Sequence, residues 1–349
     1  MTMEQDDLRA GVAAGIVTEE QAARLMTLAQ SRAGLRDAMP ADEEQFELFR
    51  GFSEIFISVG LVILMIGLGS IAGFSGGGII AAIVTLILTF VFANYFTLKR
   101  RMALPSIVLT IAFTIAIFAL FAEVWPTNSE QIGLAVAGAV AIIALVAWYY
   151  RFKIPFTMFL IGASALTVIL TLTNTVSPTA DWSEFTDIFN LAGGSGLAYG
   201  TLVFGILAFV VAMLFDMRDP HRLGRYSASA FWLHLLAAPA LVNTIAMTFV
   251  EMGPGLGYFF LLLTLIVVSL LALIIDRRSF LTAGIAYFGF LLSLFVRGDS
   301  YIFDFGQYAW MFILLGGFVT LIGAYWTQAR GAVLRVLPDF PGKHRLPPY

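Results

Sequence analysis

Few side chains in this sequence could do chemistry, and one of them sits deep in an apolar stretch. His234 is carried by AFWLHLLAAP, Ala230 to Pro239, and no Asp, Glu, Lys or Arg occurs from Tyr226 to Val250. By helical rise it lies roughly 8–11 Å inside its segment. Ser227, Ala230, Ala237, Leu241 and Thr244 share its face, so the imidazole points at small residues on which another helix packs closely. Pro239 lacks the N–H that would bond the Leu235 carbonyl, which frees an acceptor one residue from the histidine and favours a kink. His234, Leu235 and Pro239 thus make a candidate intramembrane site for a proton, a water or a ligand. The plainer alternative is a hydrogen bond that joins two helices. Asn243, nine residues on, falls on the opposite face of a straight helix.

Two other groups are candidates. Glu123 and Glu251 fall at the same expected end of their segments and could share an outer cation site. In the basic turn DMRDPHRLGR, Arg222 and Arg225 could hold an anionic lipid headgroup, or serve topology alone. Asp219 followed by Pro220 reads as an N-cap and first position of a short surface helix through Arg225. With no cysteine, thiolate metal sites, disulfides and thiol nucleophiles are out of the question. No GxxxxGK[ST], HExxH or GxSxG pattern and no Cys/His cluster occurs, so no enzyme, no cofactor, no metal and no nucleic-acid partner is expected.

The elements that must position these residues are membrane helices. The 349 residues are 59% hydrophobic and 12% charged, where a soluble domain has nearer half and a quarter, so the expected solvent of most of the chain is a lipid bilayer. Ten segments are long enough to cross a hydrocarbon layer of about 30 Å: 53–73, 77–98, 104–125, 131–150, 154–174, 196–216, 227–249, 257–275, 279–296 and 309–327. The expectation is an all-α polytopic membrane protein with ten transmembrane helices in 53–327. Before them come a small cytoplasmic helical hairpin head, 1–36, and an acidic linker, 37–52; after them comes a cytoplasmic tail, 328–349.

Nineteen of the twenty Lys and Arg fall on one side of this arrangement, Arg297 being the exception, so the positive-inside rule places both termini in the cytoplasm. Trp125, Trp182 and Trp310 then lie at the outer interface and Trp148, Trp232 and Trp326 at the inner one. Neither a cleaved signal nor a lipidation motif is expected. In the head, Thr18 with Gln21 three residues later is a capping-box pattern, and Gly15 ends the helix before it. The longest outer connection, about 175–195, has Trp182, Phe185, Ile188 and Phe189 at helical spacing, which suggests a surface helix.

AFWLHLLAAP with DPHR before it, the head pattern LRAGVAAGIVTEEQAARL and the tail LRVLPDFPGKHRLPP together resemble uncharacterised multi-pass inner-membrane proteins of proteobacteria. That resemblance implies a bacterial inner-membrane location and a helical bundle, and no activity or site residue. Ten spans, a proline-broken helix with an inward histidine and an acidic outer face favour a small-solute transporter or permease-like protein. The alternative is a non-transporting scaffold or sensor whose residues 1–36 bind a cytoplasmic protein partner.

Overall fold

The computed structural model describes residues 5–32, 52–125, 130–176, 185–220, 222, 225–253, 255–280, 284–285, 289, 305–339 and 343–346. The acidic linker, most of the expected span 279–296 and the loop carrying Arg297 lie outside these residues. What is described is 87% helix with no strand. Among the described residues seven helices are long and apolar enough to cross a membrane, which makes this an integral membrane protein by the same reasoning that excluded a soluble fold.

In chain order the helices are α1 Gln5–Ala13, α2 Glu19–Arg32, α3 Phe52–Ala93, α4 Ala103–Val124, α5 Glu130–Phe152, α6 Thr157–Val176, α7 Phe185–Phe189, α8 Gly196–Asp216, α9 Arg225–Glu251, α10 Leu256–Ile275, α11 Phe305–Ala324 and α12 Trp326–Val336. A π-helical turn, Asn94–Lys99, follows α3. The chain divides into two compact units, one of residues 29–178 and one of 1–28 with 179–349.

The helix α3 contains a reversal. Gly77 has φ 81° and ψ 176°, backbone that L side chains rarely adopt. A Cβ on Gly73 would touch Ala81, and one on Gly69 would touch Thr85, each at 3.4 Å. In a straight helix residues 69 and 85 would stand about 24 Å apart. The two halves of α3 are therefore antiparallel, and the expected segments 53–73 and 77–98 are the arms of a hairpin. Gly138 brings α5 against α6 by the lack of a side chain, since a Cβ there would lie 2.7 Å from Val168 and 3.1 Å from the Ser164 carbonyl. Trp148 joins α4 and α5: its ring stacks on Phe113 at 4.4 Å and its Nε1 donates to Thr110 Oγ1 at 3.2 Å. Glu54 is buried and accepts from the Ala103 and Leu104 N–H groups, capping α4 from a distant helix.

In the other unit Gly205 of α8 rests on Leu241 and Ala240 of α9, and Ala246 of α9 packs with Leu261 and Leu265 of α10. Near the amino terminus Thr18 and Gln21 exchange the two hydrogen bonds of a capping box, at 3.0 and 3.2 Å, and Gly15 leaves α1 with φ 69°. Of the expected outer surface helix, the described residues contain α7 alone. Of the short helix expected from Asp219, the described residues Pro220 and Arg222 are not helical. The Asp219 carboxylate instead accepts from the Ser227 N–H at 3.4 Å, so it caps α9, which begins at Arg225. The last apolar helix ends at Ala324, earlier than expected, because α12 takes up a new direction after Tyr325.

Candidate functional site

Three connected pieces of chain deliver the site. Asp216 is the last residue of α8, His234 sits nine residues into α9, and Arg277 follows the end of α10. Asp276 turns the chain there, with φ 56° and ψ 46° and its N–H on the Ala272 carbonyl, a left-handed helix ending that most often uses glycine. All three side chains are buried: Asp216 is 7% exposed, Arg277 2% and His234 0%.

His234 Nε2 lies 2.9 Å from Asp216 Oδ2. Arg277 Nε donates to the same oxygen at 3.2 Å, and its Nη2 donates to Asp216 Oδ1. Nη2 also reaches the Ser227 carbonyl at 3.0 Å and Ser227 Oγ at 3.2 Å. Arg277 thus grips the carboxylate in the bidentate geometry that its planar fork favours. With Asp216 as carboxylate the pair is neutral and the imidazole donates Nε2–H. The apolar side of the ring is closed by Phe209 and Phe280, edge-on at 5.7 and 5.8 Å between centroids. A second proton on His234 would leave one uncompensated positive charge in this buried space. The cluster can therefore exchange a proton only with a movement or a ligand that offsets the charge.

Asp276, next in sequence to Arg277, anchors a second network. Arg222 reaches its Oδ2 at 3.1 Å and donates to its carbonyl at 2.8 Å. Trp326 Nε1 donates to Asp276 Oδ1 at 2.6 Å, and Arg330 donates to the Leu273 carbonyl at 3.1 Å. Trp326, Arg330 and Leu334 recur every four residues along α12 and are all buried, so this helix is seated on the end of α10 by one face. One dipeptide, Asp276–Arg277, belongs to both networks.

No family model matches the chain, and neither a curated protein nor a solved structure matches it. Any functional reading rests on the geometry above.

Of the residues singled out in the sequence, His234 is in the site, and its stripe of Ser227, Ala230, Ala237 and Thr244 is buried with it. Leu235 and Pro239 are half-buried in a helix that runs on through the proline. The site is built across helices from Asp216 and Arg277, rather than along one helix from a freed carbonyl. Asn243 is half-buried on the other stripe. Glu123 lies against the backbone of Gly78, where a Cβ would come 2.2 Å from its Oε1, and Glu251 is exposed at the end of α9 in the other unit. Arg222 was a lipid-headgroup candidate. Its guanidinium pairs with Asp276, and its side chain is 14% exposed. Arg225 is exposed.

Asp216, Arg277, Asp276 and Arg330 were missed as site residues. Asp216 and Asp276 read as ordinary ionisable groups at segment ends, and Arg277 as one more topological cation. A signal was present for Asp216 and Asp276 nonetheless: they are acids at the ends of segments where nearly all charged neighbours are basic.

Proposed function

We propose that the chain is a multi-pass inner-membrane carrier of a small solute, with Asp216, His234 and Arg277 as its proton-handling element. One observation carries the reading: a carboxylate, an imidazole and a guanidinium from three helices meet with almost no exposure inside a lipid-embedded bundle. Ionisable groups are costly there and characteristically mark ion and substrate paths. A further support is the acid itself: Asp216, at the end of α8, pairs with a histidine that lies about 13 Å into α9. On this reading ten spans cross the membrane with both termini in the cytoplasm, as the distribution of basic residues implies, so the cluster closes the cytoplasmic end of the carrier.

The test is electrical. Proteoliposomes on a solid-supported membrane are challenged with amino acids, sugars, organic acids and metal cations at pH 6 and pH 8. The expected result is a current evoked by one solute class, pH-dependent in the native protein and lost in His234→Gln. Silence across the panel from folded protein would overturn the carrier reading.

One observation favours a second reading, a non-transporting scaffold or sensor. The His234 ring is fully enclosed by Phe209, Phe280 and its ion-paired neighbours, as an interhelical latch would be. In that case His234→Gln changes stability alone, and the head, residues 1–36, carries the activity by binding a protein.

A further inference from the structure

Four described residues other than glycine have positive φ: Arg101 at 52°, Lys153 at 54°, Arg222 at 55° and Asp276 at 56°. All four are charged and all lie in turns after helices, where glycine fits without strain. Two of them explain each other, since Arg222 and Asp276 form an ion pair at 3.1 Å. Among the described residues Arg101 and Lys153 have no such partner.

These two belong to a larger patch in the unit of residues 29–178. Lys99 and the Arg100 guanidinium each lie 5.7 Å from the centre of the Tyr95 ring, and Arg100 Nε also donates to the Tyr95 hydroxyl at 3.2 Å. Arg151, in the last turn of α5, donates to Asn94 Oδ1 at 2.9 Å and so draws that helix end against the π-helical turn. Lys99, Arg100, Arg101, Arg151 and Lys153 are all exposed. Among the described residues no carboxylate lies within ion-pair distance of any of them. Glu54, at the same end, is buried and occupied with the N–H groups of α4. Tyr95 is 42% exposed, an amphipathic ring suited to headgroup depth.

We infer that this patch binds the headgroup of an anionic phospholipid, with Arg101 and Lys153 held in strained backbone because their charge is used outside the chain. Five cations at the interface give strong complementarity to a phosphodiester, and their aliphatic stems can lie along the acyl boundary. Topology accounts for basic residues on this side, but not for cations at the two turn positions that favour glycine. The inference is independent of any transport activity.

Backbone strain makes a clean test available. In Arg101→Gly/Lys153→Gly the fold loses strain and no internal ion pair, so in neutral detergent the unliganded full-length protein should melt at the native temperature or above. Native mass spectrometry and thermal shift with phosphatidylglycerol, phosphatidylcholine and inorganic phosphate then read binding. Phosphatidylglycerol alone should bind and stabilise the native protein. The double variant should bind it roughly thirtyfold more weakly, two charges at about 1 kcal/mol each. Arg218→Gln/Arg335→Gln, which removes two exposed cations outside the patch, should bind it as the native protein does. The inference is overturned if phosphatidylcholine or phosphate stabilises equally. It is also overturned if the control loses as much affinity as the glycine variant, or if the glycine variant loses none.

Discussion

The two units are made of the same material, apolar helices rich in Gly, Ala and Phe, yet different contacts join their helices. In residues 29–178 the joints are mainly aromatic, hydroxyl and close-packing contacts, Trp148 on Phe113 and Thr110, the Gly138 crossing and a reversal at Gly77, with charge entering as single hydrogen-bonding groups, Glu54 on α4 and Arg151 on Asn94, rather than as ion pairs among the described residues. In residues 179–349 the joints include Asp216–His234–Arg277 and Asp276 with Arg222 and Trp326. Lipid is as apolar as the side chains, so burial alone gives helices little reason to choose one partner or register over another. Packing shape sets the register in the first unit and directed charge sets it in the second. Packing loses strength by degrees when a group is removed. A buried ion pair fails abruptly, because removal of one partner strands the other.

The largest expected effect tests that contrast directly. Arg277→Met leaves Asp216 buried without its permanent counter-charge and should cost about 3–5 kcal/mol, seen as a large fall in the detergent melting temperature. Asp216→Leu/Arg277→Met removes both charges and should recover most of that loss, or exceed the native stability. A single-variant cost below about 1 kcal/mol would mean that the cluster is solvated, and the distinction between the units would collapse.

A smaller effect belongs to the other unit. Trp148→Phe keeps a ring against Phe113 but gives up the bond to Thr110 Oγ1 and part of the packing, so about 1–2 kcal/mol should be lost. Thr110→Val added to it should cost little more, since the bond is already gone. If Trp148→Phe proved as damaging as Arg277→Met, the aromatic unit would be no more graded than the charged one.

Much of this architecture was legible from sequence for a plain reason. Membrane helices announce themselves by length and hydropathy, and the reversal at Gly77 was visible as a break between 73 and 77. The capping box at Thr18 was legible too, because it is local: two side chains three residues apart satisfy two N–H groups. His234 could be found because an imidazole in an apolar run is rare. Its partners could not, since Asp216 and Arg277 are 18 and 43 positions away in sequence, and nothing in spacing says that two segment ends meet. The acids on the basic side form a rule only in retrospect. Glu54 and Asp219 cap helices, and Asp216 and Asp276 hold arginines, so each one described in the membrane domain is engaged inside the chain. The Arg222 ion pair was hidden for the converse reason: sequence tells of a cation's charge, and only the fold tells which acid lies beside it.

The smallest expected stability effect carries the most information about function. The His234 imidazole bonds an oxygen that Arg277 also holds, so Asp216 is not stranded when the imidazole goes. Bonds of this kind between membrane helices average about 0.6 kcal/mol and reach about 1.7. Gln is uncharged, close to His in length and able to donate to Asp216, so His234→Gln should lower the melting temperature slightly or not at all. Asn243→Ala, on the stripe away from the cluster, should do no more. The two variants part on proton chemistry, because Gln cannot titrate and imidazole titrates near neutrality. A carrier should lose its pH dependence between pH 6 and pH 8 in His234→Gln and keep it in Asn243→Ala. If both variants left every transport signal and its pH profile intact, His234 would be only a latch, and the charged unit would differ from the aromatic one in how it is fastened rather than in what it does.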